Sequence, residues 1–411
     1  MVVFQRAPVG RIWPVGFIGP AIVCVVLGLP PAALPHASAP DKAPAEAAAP
    51  KPPGLILTVN HGDEVWCVSV SADGSTLATG GKDKTARLWN ASDGAQRAEP
   101  RVDEGTIRDL SLSPDGRYLV TRHTGSSAVV FVNRPHRGKP LGSHGFNGQG
   151  AKPLYSLWDL SIPTGRKPLM TARGAMAIGA DGKEALAFDW DDASDKAWFR
   201  RLELAKRRKR DTQVAPPDWT GSLHPKEAFV FSPDLRRLAA FRNGYALCLW
   251  NTGAGTGSAA GSPDRSVRTE FVGSRIDAAC FRADGKVFAV AMATMSEMPG
   301  ADGKPKYTYS DPRLQLVEVP SGQVLKEFKL SDRLAENGVA FSPRGDLLCC
   351  HVRSTGLELR DAETGNVRGP SVPMKVTSAA FSGDGKRLFV GRPVGTAELW
   401  ELDALLSPAK N

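Results

Sequence analysis

Between Val65 and Asn90 the chain reads VWCVSVSADGSTLATGGKDKTARLWN. Apolar and polar positions alternate from Val65, break at Asp73-Gly74, alternate again, break at Lys82-Asp83, and alternate once more into Trp89-Asn90. Period-two alternation predicts half-buried strands, and Asp-Gly between two such runs predicts a tight hairpin. The same skeleton returns with its turn at Asp115, Asp181, Asp234, Asp284, Arg344 and Asp384. The turns are spaced 40 to 66 residues apart, so the shortest units fit four short strands and the longer ones need insertions. A lone apolar strand, Leu55 to Val59, precedes the first unit, and the last unit stops at Leu402 after three strands. The N-terminal strand is therefore expected to complete the last unit.

Several segments carry a resemblance to a known family: LSLSPDGRYLVT from Leu110, FVFSPDLRRLAAF from Phe229, VAFSPRGDLL from Val339 and AAFSGDGKRLFV from Ala379. A closing dipeptide stands at Trp89-Asn90, Trp158-Asp159, Trp250-Asn251 and Trp400-Glu401, and decays to Leu202-Glu203, Val317-Glu318 and Arg360-Asp361. Repeated in register from about Gly54 to Leu405, this pattern resembles the WD-repeat (WD40) β-propeller family. The resemblance implies an all-β, seven-bladed β-propeller whose N-terminal strand closes the last blade. It also implies a hydrogen-bonded chain of His, Ser/Thr, Asp and Trp within a blade. Blade one keeps candidates for all four, His61, Thr79, Asp83 and Trp89; the other blades lack most of it, so packing is expected to stitch them.

The first residues differ from everything that follows. Arg6 and Arg11 precede an apolar stretch from about Val15 to Leu29, and then comes Ala37-Ser38-Ala39, the pattern of a secretory signal. Residues 1–39 are read as a signal peptide or an uncleaved N-terminal membrane anchor, 40–53 as an Ala/Pro-rich linker, 54–405 as the propeller and 406–411 as a C-terminal tail. An exported, bacterial-type protein of the cell envelope, periplasm or secreted space is expected. The net charge of +9, from 52 Lys and Arg against 43 Asp and Glu, is interspersed along the chain and only weakly favours a polyanionic partner. Six cysteines show no CxxC pair and no zinc spacing; Cys67, Cys280, Cys349 and Cys350 are expected in strands as buried, unreactive thiols.

Three places invite chemistry. The segment from Arg122 to Pro153 holds His123, His136 and His144 among glycines, with no acidic or Cys ligand at a metal-binding spacing. Asp189, Asp191, Asp192 and Asp195 form an oxygen-rich cluster, but without the turn glycine and terminal Glu of a calcium loop; a solvated loop is favoured. The run Lys206-Arg207-Arg208-Lys209-Arg210 stands where other units turn, and it lacks the interleaved aromatics that stack nucleic acid bases. It reads as a charged hairpin tip. No phosphate-cradling GxxxxGK[ST] loop, GxSxG elbow or HExxH helix occurs. No cofactor or metal is expected.

The expected function is a non-enzymatic interaction platform for a protein partner, with nucleic acid disfavoured and a membrane tether possible through the N-terminal segment. The alternative is a propeller hydrolase or oxidoreductase with its site in the central channel. The longest insertions, Arg122 to Pro153 and Thr294 to Asp311, occupy equivalent second-to-third-strand positions and should share one face with the strand-entry residues Glu64, Trp66, Arg108, Arg275 and Asp277. Trp66 is either an exposed anchor there or packed between blades.

Overall fold

The computed structural model describes residues 51–97, 101–124, 155–162, 167–191, 196–214, 229–242, 246–252, 263–270, 274–299, 305–319, 321–369 and 375–407. The chain divides into Met1–Pro50 and Lys51–Asn411, and the description concerns the second unit. The export segment, most of the linker, His136, His144, Asp192 and Asp195 lie outside the described residues. Among those described, no helix is long and apolar enough to cross a membrane.

The fold is all-β. The described strands make seven antiparallel sheets, six of four strands and one of three. Their first strands are Val65–Val70, Ile107–Leu112, Ala175–Ile178, Phe229–Phe231, Ser274–Phe281, Leu334–Phe341 and Ser378–Phe381. These first strands meet their neighbours in sequence order, and the strand of the seventh sheet meets that of the first. Leu55–Asn60 pairs with Thr396–Glu401 as the outer strand of the seventh sheet, with Thr58 opposite Glu398 and Val59 opposite Ala397. The short helix Leu402–Leu406 then buries Leu402 and Leu405.

Each sheet presents two apolar faces, because its strands alternate residues toward one neighbour and the other. Adjacent Cys349 and Cys350 show this directly: Cys350 packs with Ala278, Leu314 and Leu348 between the fifth and sixth sheets, while Cys349 packs with Leu388 and Trp400 between the sixth and seventh. A further core, Val59, Val65, Leu77, Trp89, Phe389 and Leu399, joins the seventh sheet to the first.

The turn signals have a conformational cause. Gly74, Gly116, Gly182, Gly285, Gly345 and Gly385 hold φ between 65° and 75°, a left-handed backbone that glycine adopts without a Cβ penalty. In the fourth sheet Leu235 takes φ 57° at the same position. Serine and aspartate fix five of the seven hairpins, as where Ser113 Oγ donates to Asp115 Oδ1 at 2.5 Å and the Arg117 N–H donates to the same oxygen at 3.1 Å.

The insertion from Thr294 to Asp311 is a ribbon. Val287–Pro299 and Pro305–Glu318 stay paired far past their own sheet, Met295 opposite Tyr309, Glu297 opposite Tyr307 and Pro299 opposite Pro305. Within the acidic cluster Asp189 is not in a solvated loop: it lies in the strand Glu184–Asp191, its side chain buried, paired with Arg200 and accepting the Arg173 N–H at 2.7 Å. The basic run does form a hairpin tip, between Lys196–Glu203 and Arg208–Val214. There Lys206 pairs with Glu203 at 2.7 Å, and Arg207 reaches the buried carboxylate of Asp159 in the preceding sheet, also at 2.7 Å.

Candidate functional site

The strand-entry residues share a local cause. Strand pairing slips between Val65 and Cys67, between Ile107 and Asp109, and between Ile276 and Ala278. Each slip is a β-bulge near the start of the first strand of its sheet, and the extra residues are Trp66, Arg108 and Asp277. A bulge bends the strand and re-aims the side chain it frees. In the sixth sheet the slip widens, with Leu334 opposite Val352 and Val339 opposite Cys350.

Trp66 and Arg108, from adjacent sheets, come together. The Arg108 guanidinium carbon lies over the Trp66 ring, 3.7 Å from its centroid. Trp66 is half-buried and Arg108 exposed, so the ring is covered by the arginine rather than by a core. A guanidinium on an indole face gains from the ring quadrupole and keeps its edge donors for other groups. Glu64 sits beside this pair, half-buried, with Lys82 3.6 Å from its carboxylate.

Arg275 and Asp277 also meet, but Asp277 does not line the surface as an available carboxylate. Its side chain is 3% exposed, and both oxygens accept from Arg333, with Arg333 Nε at 2.9 Å from Oδ2. Burial explains the pairing, since an uncompensated carboxylate at that depth would be far costlier than a bidentate pair. Arg275 lies 3.8 Å from Asp277 and stays about half exposed. Tyr309, on the ribbon, receives both arginines: Arg333 lies 3.9 Å and Arg275 5.7 Å from its ring centroid, and Arg275 donates to its hydroxyl at 3.4 Å. Sequence reasoning missed Arg333 and Tyr309. Arg333 stands immediately before its own sheet's first strand, a position that could have flagged it; Tyr309 was hidden in a segment read only as an insertion.

The four residues of the first sheet form one chain. Trp89 Nε1–H donates to Thr79 Oγ1 at 3.0 Å, Thr79 Oγ1 lies 2.8 Å from His61 Nδ1, and His61 Nε2 lies 3.1 Å from Asp83 Oδ1. Indole only donates and a carboxylate only accepts. The neutral tautomer that serves both ends carries its proton on Nε2, toward Asp83, with the threonine hydroxyl donating to Nδ1. Burial holds His61 below its ordinary pKa of 6.5, against the opposing pull of Asp83.

Other sheets also carry polar stitches, which corrects the expectation that packing alone holds them. In the second sheet Trp158 Nε1–H donates to Thr121 at 3.0 Å, and Thr121 donates to buried Asp103 at 2.5 Å. His123, one of the three histidines weighed as metal ligands, is buried with Nε2 3.5 Å from Asp103. Among the described residues no group of three or more His, Cys, Asp or Glu is arranged to hold a metal ion. Burial pushes the Cys280 and Cys350 thiols up to about 12, which leaves them protonated and poorly nucleophilic.

Comparison with known proteins finds similarity over part of the chain. Residues 54–90 match the WD domain, G-beta repeat family. The chain is 35% identical over 79 residues to the probable cytosolic iron-sulfur protein assembly protein Ciao1 of Culex quinquefasciatus, covering 18% of this chain and 23% of that protein. It is 36% identical over 73 residues to the ribosome biogenesis protein BOP1 of Rattus norvegicus, covering 18% and 10%, respectively. The pre-mRNA-splicing factor PRP46 of Candida glabrata is 31% identical over 70 residues, covering 16% of each. The chain thus spans less than a quarter of the length of these relatives. All three are eukaryotic, and none supports a bacterial-type origin.

Proposed function

We propose that residues 54–405 form a closed, seven-bladed WD-repeat propeller that acts as a non-enzymatic platform for a protein partner, bound at the face carrying the bulge residues. Support for the ring comes from the cyclic contacts of the first strands and from Leu55–Asn60 completing the seventh sheet. The observation that carries the binding reading is the recurrence of one bulge position in three sheets, which turns Trp66 and Arg108 outward as a stacked pair and draws Arg275, Arg333 and Tyr309 around Asp277. Tyrosine, tryptophan and arginine are the residue types that dominate binding energy at protein interfaces. Export, with the N-terminal segment cleaved or kept as a membrane tether, belongs to the same proposal and rests on Arg6, Arg11 and the apolar stretch behind them.

The test is affinity capture with the full chain, repeated with Arg108→Glu, Arg275→Glu and Lys386→Glu. Lys386 is exposed in an Asp-Gly turn, at the end of its sheet remote from strand entry. Arg117 is a poorer control, because it lies 3.7 Å from buried Asp159. A specific partner should be lost with the first two variants and kept with the third, at unchanged melting temperature. Equal loss with all three would place binding elsewhere. Fractionation tests export: recovery wholly in the cytosol with an intact N-terminus would overturn it.

A further inference from the structure

The geometry points to an acidic protein segment as what this face binds, its carboxylates gripped by Arg108 and Arg275 and its backbone laid along the blade-five ribbon at Tyr307. The inference rests on the interaction reading above and adds the partner's chemistry.

Arg108 is exposed, lies over the Trp66 ring, and has no carboxylate partner among the described residues. A guanidinium stacked on a ring is held in orientation, with a planar fork of N–H donors along its free edge. Arg275 reaches a similar state by a different route. Its nearest carboxylate, Asp277, already accepts from Arg333 through both oxygens, so the 3.8 Å approach of Arg275 leaves its donors largely unused. The Tyr309 ring steadies it from the ribbon. Tyr307 lies two residues along the same strand, hence on the same ribbon face, and is 44% exposed. Two pre-oriented forks, each beside an aromatic ring, match carboxylates that accept two hydrogen bonds at once.

The surroundings favour a protein over a polyphosphate or a lipid surface. Asp63, three residues before Trp66, and Glu297, on the ribbon strand opposite Tyr307, are exposed; Asp311 pairs with Arg313 at 2.9 Å and Glu64 with Lys82. A nucleic acid backbone or an anionic membrane needs a continuous cationic track, and these carboxylates interrupt one. A protein segment can set its own acidic residues opposite the two arginines and other residues opposite the acids.

Fluorescence anisotropy with the full chain tests this. The probes are a labelled twelve-residue Asp/Glu-rich peptide, a Lys-rich peptide of equal length, a single-stranded oligonucleotide and phosphatidylserine vesicles. The acidic peptide should bind best, and more weakly as salt rises. Arg108→Glu and Arg275→Glu should each weaken it about tenfold or more, in line with loss of an interfacial charge pair. Arg275→Gln, which removes the charge with little change of size, should weaken it as well, and Tyr307→Ala should do so without altering the salt dependence. Lys386→Glu should leave it unchanged. Equal binding of the two peptides, tighter binding of the oligonucleotide or vesicles, or indifference to both Arg275 variants would overturn the inference. A captured partner lost with Arg108→Glu but contacting through a basic segment would sink the acidic chemistry and leave the interaction face standing; a partner indifferent to both arginines would sink the face.

Discussion

Replacing Thr79 by valine should cost far more than its size change suggests. The two side chains have the same shape, and Thr79 is fully buried, so packing is preserved while one hydroxyl is removed. Two buried partners then lose their bond: Trp89 Nε1–H, 3.0 Å away, and His61 Nδ1, 2.8 Å away. Each unsatisfied buried polar group costs roughly 1–3 kcal/mol. The added methyl returns about 0.8 kcal/mol of transfer free energy. The net is a loss of about 1–5 kcal/mol, centred near 3. Thr79→Ser keeps the hydroxyl and removes only a methyl, so it should cost about 1 kcal/mol. Equilibrium urea unfolding followed by tryptophan fluorescence measures both, provided the denaturant slope is the same for all variants. Valine costing no more than serine would refute the claim that the hydroxyl links the strands.

Acid should weaken the same sheet. The folded chain holds His61 below 6.5, so its contribution is full above that pH and is lost as pH falls through the lowered folded value; a His61→Gln variant should show a flatter stability profile over that window. Deleting Gly54 to Asn60 should leave Thr396–Glu401 as an open edge and expose Ala397 and Leu399, giving early melting or aggregation, whereas truncation through Pro53 should be harmless; equal melting of the two would show that the strand is dispensable. Leu235→Gly relieves a left-handed residue, worth about 1–2 kcal/mol, but empties a site where the side chain packs with Leu186, Phe188 and Leu238, worth about 2–5 kcal/mol, so thermal unfolding should show a net loss.

What could be read from sequence was whatever local chemistry dictates. The Asp-Gly turns announce themselves because few residues accept φ near 70°, and Leu55 to Val59 was identifiable because its alternation had no partner until the last unit was found a strand short. The ribbon was not identifiable. There Met295, Ser296 and Glu297 pair with Tyr309, Thr308 and Tyr307, respectively, a short run whose pairing comes from the hairpin continuing past its sheet. The burial of Asp277 was hidden for a different reason: Arg333, which neutralises it, lies 56 residues away and enters from the next sheet.

The polar stitches show how one role passes between residue types. Asp103 precedes the strand Ile107–Leu112 by as many residues as His61 precedes Val65–Val70, and Thr121 and Trp158 occupy the places of Thr79 and Trp89. Aspartate in the histidine position keeps the chain because Thr121 can donate its hydroxyl to either acceptor. In the seventh sheet Val390 stands in the threonine place and offers no acceptor, so Trp400 Nε1–H turns to Glu398 at 3.2 Å, and Arg392 holds that carboxylate at 3.1 Å. In the sixth, Arg360 replaces the tryptophan itself and binds Glu358 at 2.6 Å and the Gly365 carbonyl at 3.0 Å. Buried donors are rarely left without an acceptor, and in these two sheets the loss of one member of the chain is met by a partner elsewhere in the same sheet. That exchange explains why the closing Trp-Asp dipeptide can decay to Arg360-Asp361 while the sheet that contains it keeps its place in the fold.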